Sequence, residues 1–209
     1  MKKYKLTDQD GFTRRGQRNE TLWGENVTHT AAGDVWCGVR RLCTEEVIHY
    51  YDSPLVARLM NPLHAKLKHP ICWECRGRRV AHDGTKGGCK TLTMIRQVPL
   101  PELTVEQRVE IGIRAALAVC DDPVWRTWAT LWLSGENRDA DCCAGCYAGC
   151  HAAPWAAAQA AARAAAQAAI IWPARAARAA VRTAAQAASA AVEVNPDLNL
   201  AAICEAVTR

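Results

Sequence analysis

Eleven of the 209 residues are cysteine, and the spacing of several could hold a metal. Cys72-x-x-Cys75 is followed by Cys89, with His69 and His82 close by. Three thiolates and one imidazole make a tetrahedral zinc site. Cys72, Cys75, Cys89 and His82 (or His69) are therefore the candidate ligands, and zinc is the candidate cofactor. Against this, Cys72 and Cys75 fall on a predicted strand, where residues three apart point to opposite faces, and a buried thiol behaves as a small apolar side chain. A second group, Cys142, Cys143, Cys146, Cys150 and His151, has spacing superficially like an iron–sulfur ligand run. It stands at the head of an alanine-rich helix, where small residues serve close packing equally well. An odd cysteine count does not close into a full set of intrachain disulfides.

A different chemistry is suggested by His49-Tyr50-Tyr51, placed before Asp52-Ser53-Pro54 and a helix. A strand ending in paired aromatics, then a polar cap, faintly resembles the middle motif of ADP-ribosyltransferases. Such an enzyme also needs a carboxylate against an oxocarbenium-like transition state, and Glu74 is the candidate. On that reading a polar pocket around His49, Tyr51, Glu74 and Arg76 would take a nucleotide or NAD. No GxGxxG, phosphate loop, HExxH or GxSxG occurs, so a non-catalytic role is the first expectation. A third possibility is electrostatic. No Asp or Glu lies between Asp141 and Glu193, whereas Arg163, Arg175, Arg178 and Arg182 do. Such a stripe can contact phosphates of a nucleic acid, or be a solvated face.

The elements that must position these residues are partly legible. Tyr4–Thr7, Leu22-Trp23 with Asn26–His29, and Val35–Cys37 read as short strands. Ser53 and Pro54 are a helix N-cap and first position, and Asn61-Pro62 should end or restart that helix. Ile71–Val80 and Cys89–Val98 read as a hairpin about the turn from Asp83 to Gly88. Thr104 and Gln107 form a capping box, ahead of an apolar stripe of Val105, Val109, Ile113, Ala116 and Cys120. Asp122-Pro123 opens a helix whose buried face is expected to hold Val124, Trp125, Trp128, Leu131 and Trp132, with Gly135 closing it. From about Cys142 to Val194 the chain is largely alanine, the best helix former. Trp155, Gln159, Arg163, Gln167 and Ile171 recur at steps of four, and Trp172-Pro173 marks a kink or a tight reversal. Asn195-Pro196 should start a last helix, with Leu200, Ile203, Cys204 and Val207 inward.

These elements predict an α+β fold: a small antiparallel sheet domain over 1–101, a Trp-rich helical segment over 102–135 packed on it, and an Ala-rich hairpin or kinked helix with a terminal helix over 138–209. The net charge of +5 permits an acidic partner without demanding one. The charged start, MKKYKLTDQD, lacks the apolar core of a secretory signal. No run of about 18 strongly apolar residues exists. A cytoplasmic protein that does not span a membrane is expected, with mostly reduced cysteines.

The stretches YKLTDQDG, WGENVTH, IHYYDSPLVARLMNPLHA, the WEC strand with DGTKGGCKTLT, VPLPELTVEQRVEIGIRAAL and WLSGENR resemble a group of uncharacterised proteins of tailed phages and prophages. The segment from Cys37 to Cys43 is longer and more basic than the turn in that group. The resemblance implies an origin, an accessory protein in the cytoplasm of an infected bacterium, and no mechanism. Proteins of that kind often bind a host factor, sometimes to block host defence. The expected function is a non-catalytic protein that binds a host protein or a second copy of itself. The alanine helices would serve packing or oligomerisation. Nucleic-acid binding through the arginines, or a small-ligand site, are the alternatives.

Overall fold

The computed structural model describes residues 2–32, 42, 44–138, 153–169 and 173–209. The fold is α+β, as expected, and divides into two compact units, Met1–Glu102 and Leu103–Arg209. The strand expected at Val35–Cys37 lies outside the described residues.

The first unit holds β1 (Lys3–Thr7), β2 (Phe12–Thr13), β3 (Thr21–Leu22), β4 (Thr28–Thr30), β5 (Ile48–Tyr50), α1 (Pro54–His64), β6 (Ile71–Arg76), β7 (Arg79–His82), β8 (Gly87–Cys89) and β9 (Thr91–Val98). They form a sheet of order β1-β6-β9-β4, a ribbon β2-β3 and a sheet β5-β8-β7. All their pairings are antiparallel. Trp23, Tyr50, Trp73, Cys75, Cys89, Leu92 and Met94 make the core.

Two expected strands are each divided. Leu22 and His29 belong to different sheets, separated by a turn in which Asn26 takes φ 60°. Asparagine tolerates that left-handed backbone better than most residues. The stretch read as one strand over Ile71–Val80 is β6 and β7. Gly77 marks the break: a Cβ there would stand 2.5 Å from the Thr91 carbonyl oxygen and 2.9 Å from the Cys89 Sγ. Only glycine lets the chain cross so close to a neighbouring backbone while it leaves one sheet for the next.

Ser53 caps α1, accepting from the Leu55 N–H, with Pro54 next. The helix does not stop at Pro62 but continues to His64. Pro62 lies in the last turn, so its missing N–H removes a single helical bond. Termination comes from Lys66, at φ 56°, whose N–H returns to the Asn61 carbonyl at 2.7 Å.

The second unit contains α2 (Val105–Leu117), α3 (Pro123–Ser134), α4 (Ala153–Ala169), α5 (Pro173–Val194) and α6 (Leu200–Thr208). α2 and α3 thus group with the alanine helices in one unit. The capping box at Thr104 and Gln107 is made in both directions. α2 buries more than a stripe, because α4, α5 and α6 all pack on it. α4 and α5 lie side by side. Two helices joined by so short a link can do this only by reversing, so the tract is a hairpin and not one kinked helix.

Alanine makes this packing possible. Ala157, Ala158, Ala161, Ala162, Ala164 and Ala165 of α4 are buried, as are Ala180, Ala184, Ala185, Ala187, Ala188 and Ala191 of α5. Gly112 of α2 continues the pattern: a Cβ there would lie 3.2 Å from the Ala184 carbonyl oxygen. Each methyl contributes little at about 25 cal/mol per Å², so the unit depends on many of them and on bulky anchors. Trp125 is such an anchor, fully buried, its indole N–H donating to the Ala158 carbonyl at 3.3 Å. Val124, expected inside, is 60% exposed. It lies about 100° around the helix from Trp125, off the face that Trp125, Trp128, Ala129 and Trp132 bury. α6 begins at Leu200, capped by Asn199, and Asn195 instead closes the turn before it. Leu200 and Cys204 are buried as expected, with Ile203 and Val207 only partly so.

Candidate functional site

The candidate zinc ligands are not gathered into one site. Regular alternation along β6 puts Cys75 in the core, beside the Met94 sulfur at 3.2 Å, and Cys72 on the opposite face. Burial pushes both thiols up to about 12, and raises that of Cys89 as well. Zinc binds the thiolate, and these surroundings oppose it. His82 has both ring nitrogens engaged. Its Nδ1 accepts from the Gly84 N–H at 3.1 Å, which leaves the proton on Nε2 to donate to the Asp52 carboxylate at 2.9 Å. No group of three or more His, Cys, Asp or Glu suited to a metal occurs among the described residues. Cys142, Cys143, Cys146, Cys150 and His151 lie outside them.

The four residues expected to line a nucleotide pocket have different surroundings. Glu74 accepts from Arg96 at 3.0 Å and lies 3.5 Å from Lys2. The bond from Arg96 holds its carboxyl below the usual range. Arg76, at the end of β6, is exposed. Tyr51 is buried, its ring stacked on that of His64 with centroids 6.1 Å apart and its hydroxyl 3.4 Å from His64 Nδ1. Of the four, His49 lines a cleft with other polar groups.

That cavity is a half-open cleft of about 240 Å³ between β1, the β2-β3 ribbon and β5. Lys5, Arg14, Trp23, His29, Glu45 and His49 are in its wall. Lys5 comes from β1. Its ammonium lies 5.1 Å from the centre of the Trp23 ring and donates to the His49 carbonyl at 3.0 Å. Trp23 is fixed in turn, its indole N–H donating to the Thr13 hydroxyl at 3.0 Å, with His29 edge-on at 4.6 Å. Arg14 reaches the cleft from a left-handed turn, φ 53°, just after β2. Loss of solvation brings the Lys5 amine down to about 8, helped by the Arg14 charge. The same loss, with Lys86, Lys5 and Arg14 nearby, brings His49 down to about 4 and keeps it neutral.

A second polar group joins β5, β7 and the start of α1. Arg79 donates through Nε to the Tyr50 hydroxyl at 2.8 Å and through Nη2 to both Asp52 oxygens, at 3.1 and 3.0 Å. With His82 on the same carboxylate, Asp52 is a hub that ties the β5-β8-β7 sheet together. Its obvious role in the sequence was to precede a helix cap. Lys5 and Arg14 were missed too, because a lysine in a strand and an arginine after a turn read as solvated. The only signal was that Lys3, Lys5 and Thr7 alternate with Tyr4 and Leu6.

The expected arginine stripe is partly described. Arg163, Arg178 and Arg182 are exposed on α4 and α5, while the Arg175 side chain lies outside the described residues. None of the helices among the described residues is long and apolar enough to cross a membrane. Comparison with protein-family models, with curated proteins and with solved structures returned no match.

Proposed function

We propose that this is a non-catalytic binding protein of the cytoplasm that holds its partner in the cleft of the first unit, with the second unit as a helical scaffold. The observation that carries this reading is the cleft wall itself. It brings two cations, Lys5 and Arg14, beside a neutral His49, with no carboxylate at ion-pair distance from either cation among the described residues. Like charges brought together in a partly desolvated place repel, and a bound partner relieves that repulsion. The methyl faces that gave reason to expect self-association are engaged within the chain, which turns attention from a second copy to a different molecule. The resemblance to phage-encoded proteins would make that molecule a component of the infected bacterium, and interference with host defence one use for its capture.

The test is affinity capture from a bacterial lysate with the full chain and with Ala32→Trp, which fills the rim of the cleft at an exposed position. The partner should be retained by the parent protein and lost from the variant. Equal recovery on both would sink the proposal. A second reading, nucleic-acid binding through Arg163, Arg178 and Arg182, is favoured by their exposure and by the lack of any acidic residue between positions 141 and 193. It requires steeply salt-dependent binding.

A further inference from the structure

We infer that the cleft between β1, the β2-β3 ribbon and β5 is an oxyanion site, built for the phosphate group of a small phosphorylated molecule. The inference rests on the binding reading above and names the chemistry recognised there. Three donors face the same space. Lys5 uses one N–H on the His49 carbonyl, and an ammonium has two more. Arg14 is exposed and pairs with no carboxylate among the described residues. The Thr13 hydroxyl accepts the Trp23 indole N–H at 3.0 Å, which leaves its own proton to donate.

The charge of the ligand follows from the wall. Among the described residues Lys5 and Arg14 outnumber the Glu45 carboxylate of the wall, so an anion is favoured, and a phosphate presents more acceptor oxygens to the three donors than a carboxylate does. Glu45, also in the wall, is held at 3.1 Å by the Asn19 amide. The size follows from the volume. About 240 Å³ corresponds to roughly eight water volumes, room for a phosphate and a short polar body beside Asn19 and Thr21. Trp23 is 4% exposed, with the Lys5 ammonium over its ring, so it offers the ligand no open stacking face.

The experiment is calorimetric titration of the full chain with inorganic phosphate, with acetate and with chloride, all at one ionic strength. Phosphate should bind saturably and at least tenfold more tightly than acetate, and chloride should give no saturable heat. Arg14→Gln, at an exposed position, should weaken phosphate at least tenfold with the fold unchanged. Lys5→Met should abolish binding, with circular dichroism to confirm that it folds. The His49 ring, followed by NMR, should titrate at higher pH with phosphate bound, because the anion offsets the Lys5 and Arg14 charges that add to burial in keeping it neutral. Heats that do not saturate, acetate binding as well as phosphate, an indifferent Arg14→Gln, or phosphate binding that leaves His49 unmoved would each overturn the oxyanion site. If these fail while Ala32→Trp still loses the captured partner, the anion falls and the binding reading stands. If Ala32→Trp captures as well as the parent, the binding reading itself is gone.

Discussion

The two units solve the problem of burial in opposite ways. The first surrounds a few large side chains, Trp23, Tyr50 and Trp73, with polar groups that are individually tied: the Trp73 indole to Thr7 at 3.0 Å, the Tyr50 hydroxyl to Arg79 at 2.8 Å. The second carpets two helices with methyl groups and sets them against α2 at glycine distance. A polar interior must satisfy each donor and acceptor, and where it does so incompletely it leaves capacity for a ligand. A methyl interior has nothing left to offer, since all it contributes is fit. This contrast is why the site is sought in the sheet unit and the scaffold in the helical one.

The comparison is broken most readily in the helical unit. Trp125→Ala removes its fully buried anchor, together with the bond to the Ala158 carbonyl, and should cost about 3–5 kcal/mol of stability by urea denaturation. A cost under about 1 kcal/mol would mean that the alanine helices hold without it. Gly112→Leu asks whether the methyl seam has slack. Its new Cβ would stand 3.2 Å from the Ala184 carbonyl oxygen. Overpacking of that kind should cost about 1–3 kcal/mol, and a neutral result would refute the close approach of α2 and α5.

The sheet unit should reveal itself through acid. His49 and His64 are brought from 6.5 to about 4 by burial. Between those values the unfolded chain binds more protons than the folded one at these two sites, so their contribution to stability must fall as pH falls from about 6.5 to about 4, and level off below. His64→Gln should flatten the pH dependence of the urea midpoint, and a profile identical to the parent's would count against the buried imidazole. The smallest effect belongs to the exposed arginines. Arg182→Ala should change stability by no more than about 0.5 kcal/mol. If nucleic acid is the partner, it should lower the salt slope of binding by about one contact; a slope that stays put would discard Arg182 as a phosphate contact.

Much of the local structure was legible in the residues. Ser53-Pro54, the box at Thr104 and Gln107, Asp122 before Pro123 and Gly135 after α3 all act through bonds within a few positions, so the chain states them directly. Alanine content fixed the helical tract for the same reason. Less legible were the partners of each face. Nothing near Gly77 says that the backbone of β9, with β7 and β8 between them in the chain, will pass so close. Nothing near Val124 says that the buried face of α3 is turned toward Trp125. His49 was singled out for its neighbours in sequence, yet the groups that make its surroundings, Lys5 and Arg14, arrive from the other end of the unit.

By itself, then, the sequence determined the fold class, the caps, the helices and the small-residue seam, because propensity and capping are settled by covalently near groups. Only the tertiary structure decided that the alanine tract turns back on itself, that Cys72 and Cys75 face apart with His82 committed to Asp52, and that two cations share one cleft with no carboxylate at ion-pair distance from either among the described residues. Those outcomes depend on distances between residues far apart along the chain. Such distances are set by the packing of all the elements together and not by the identity of any one of them.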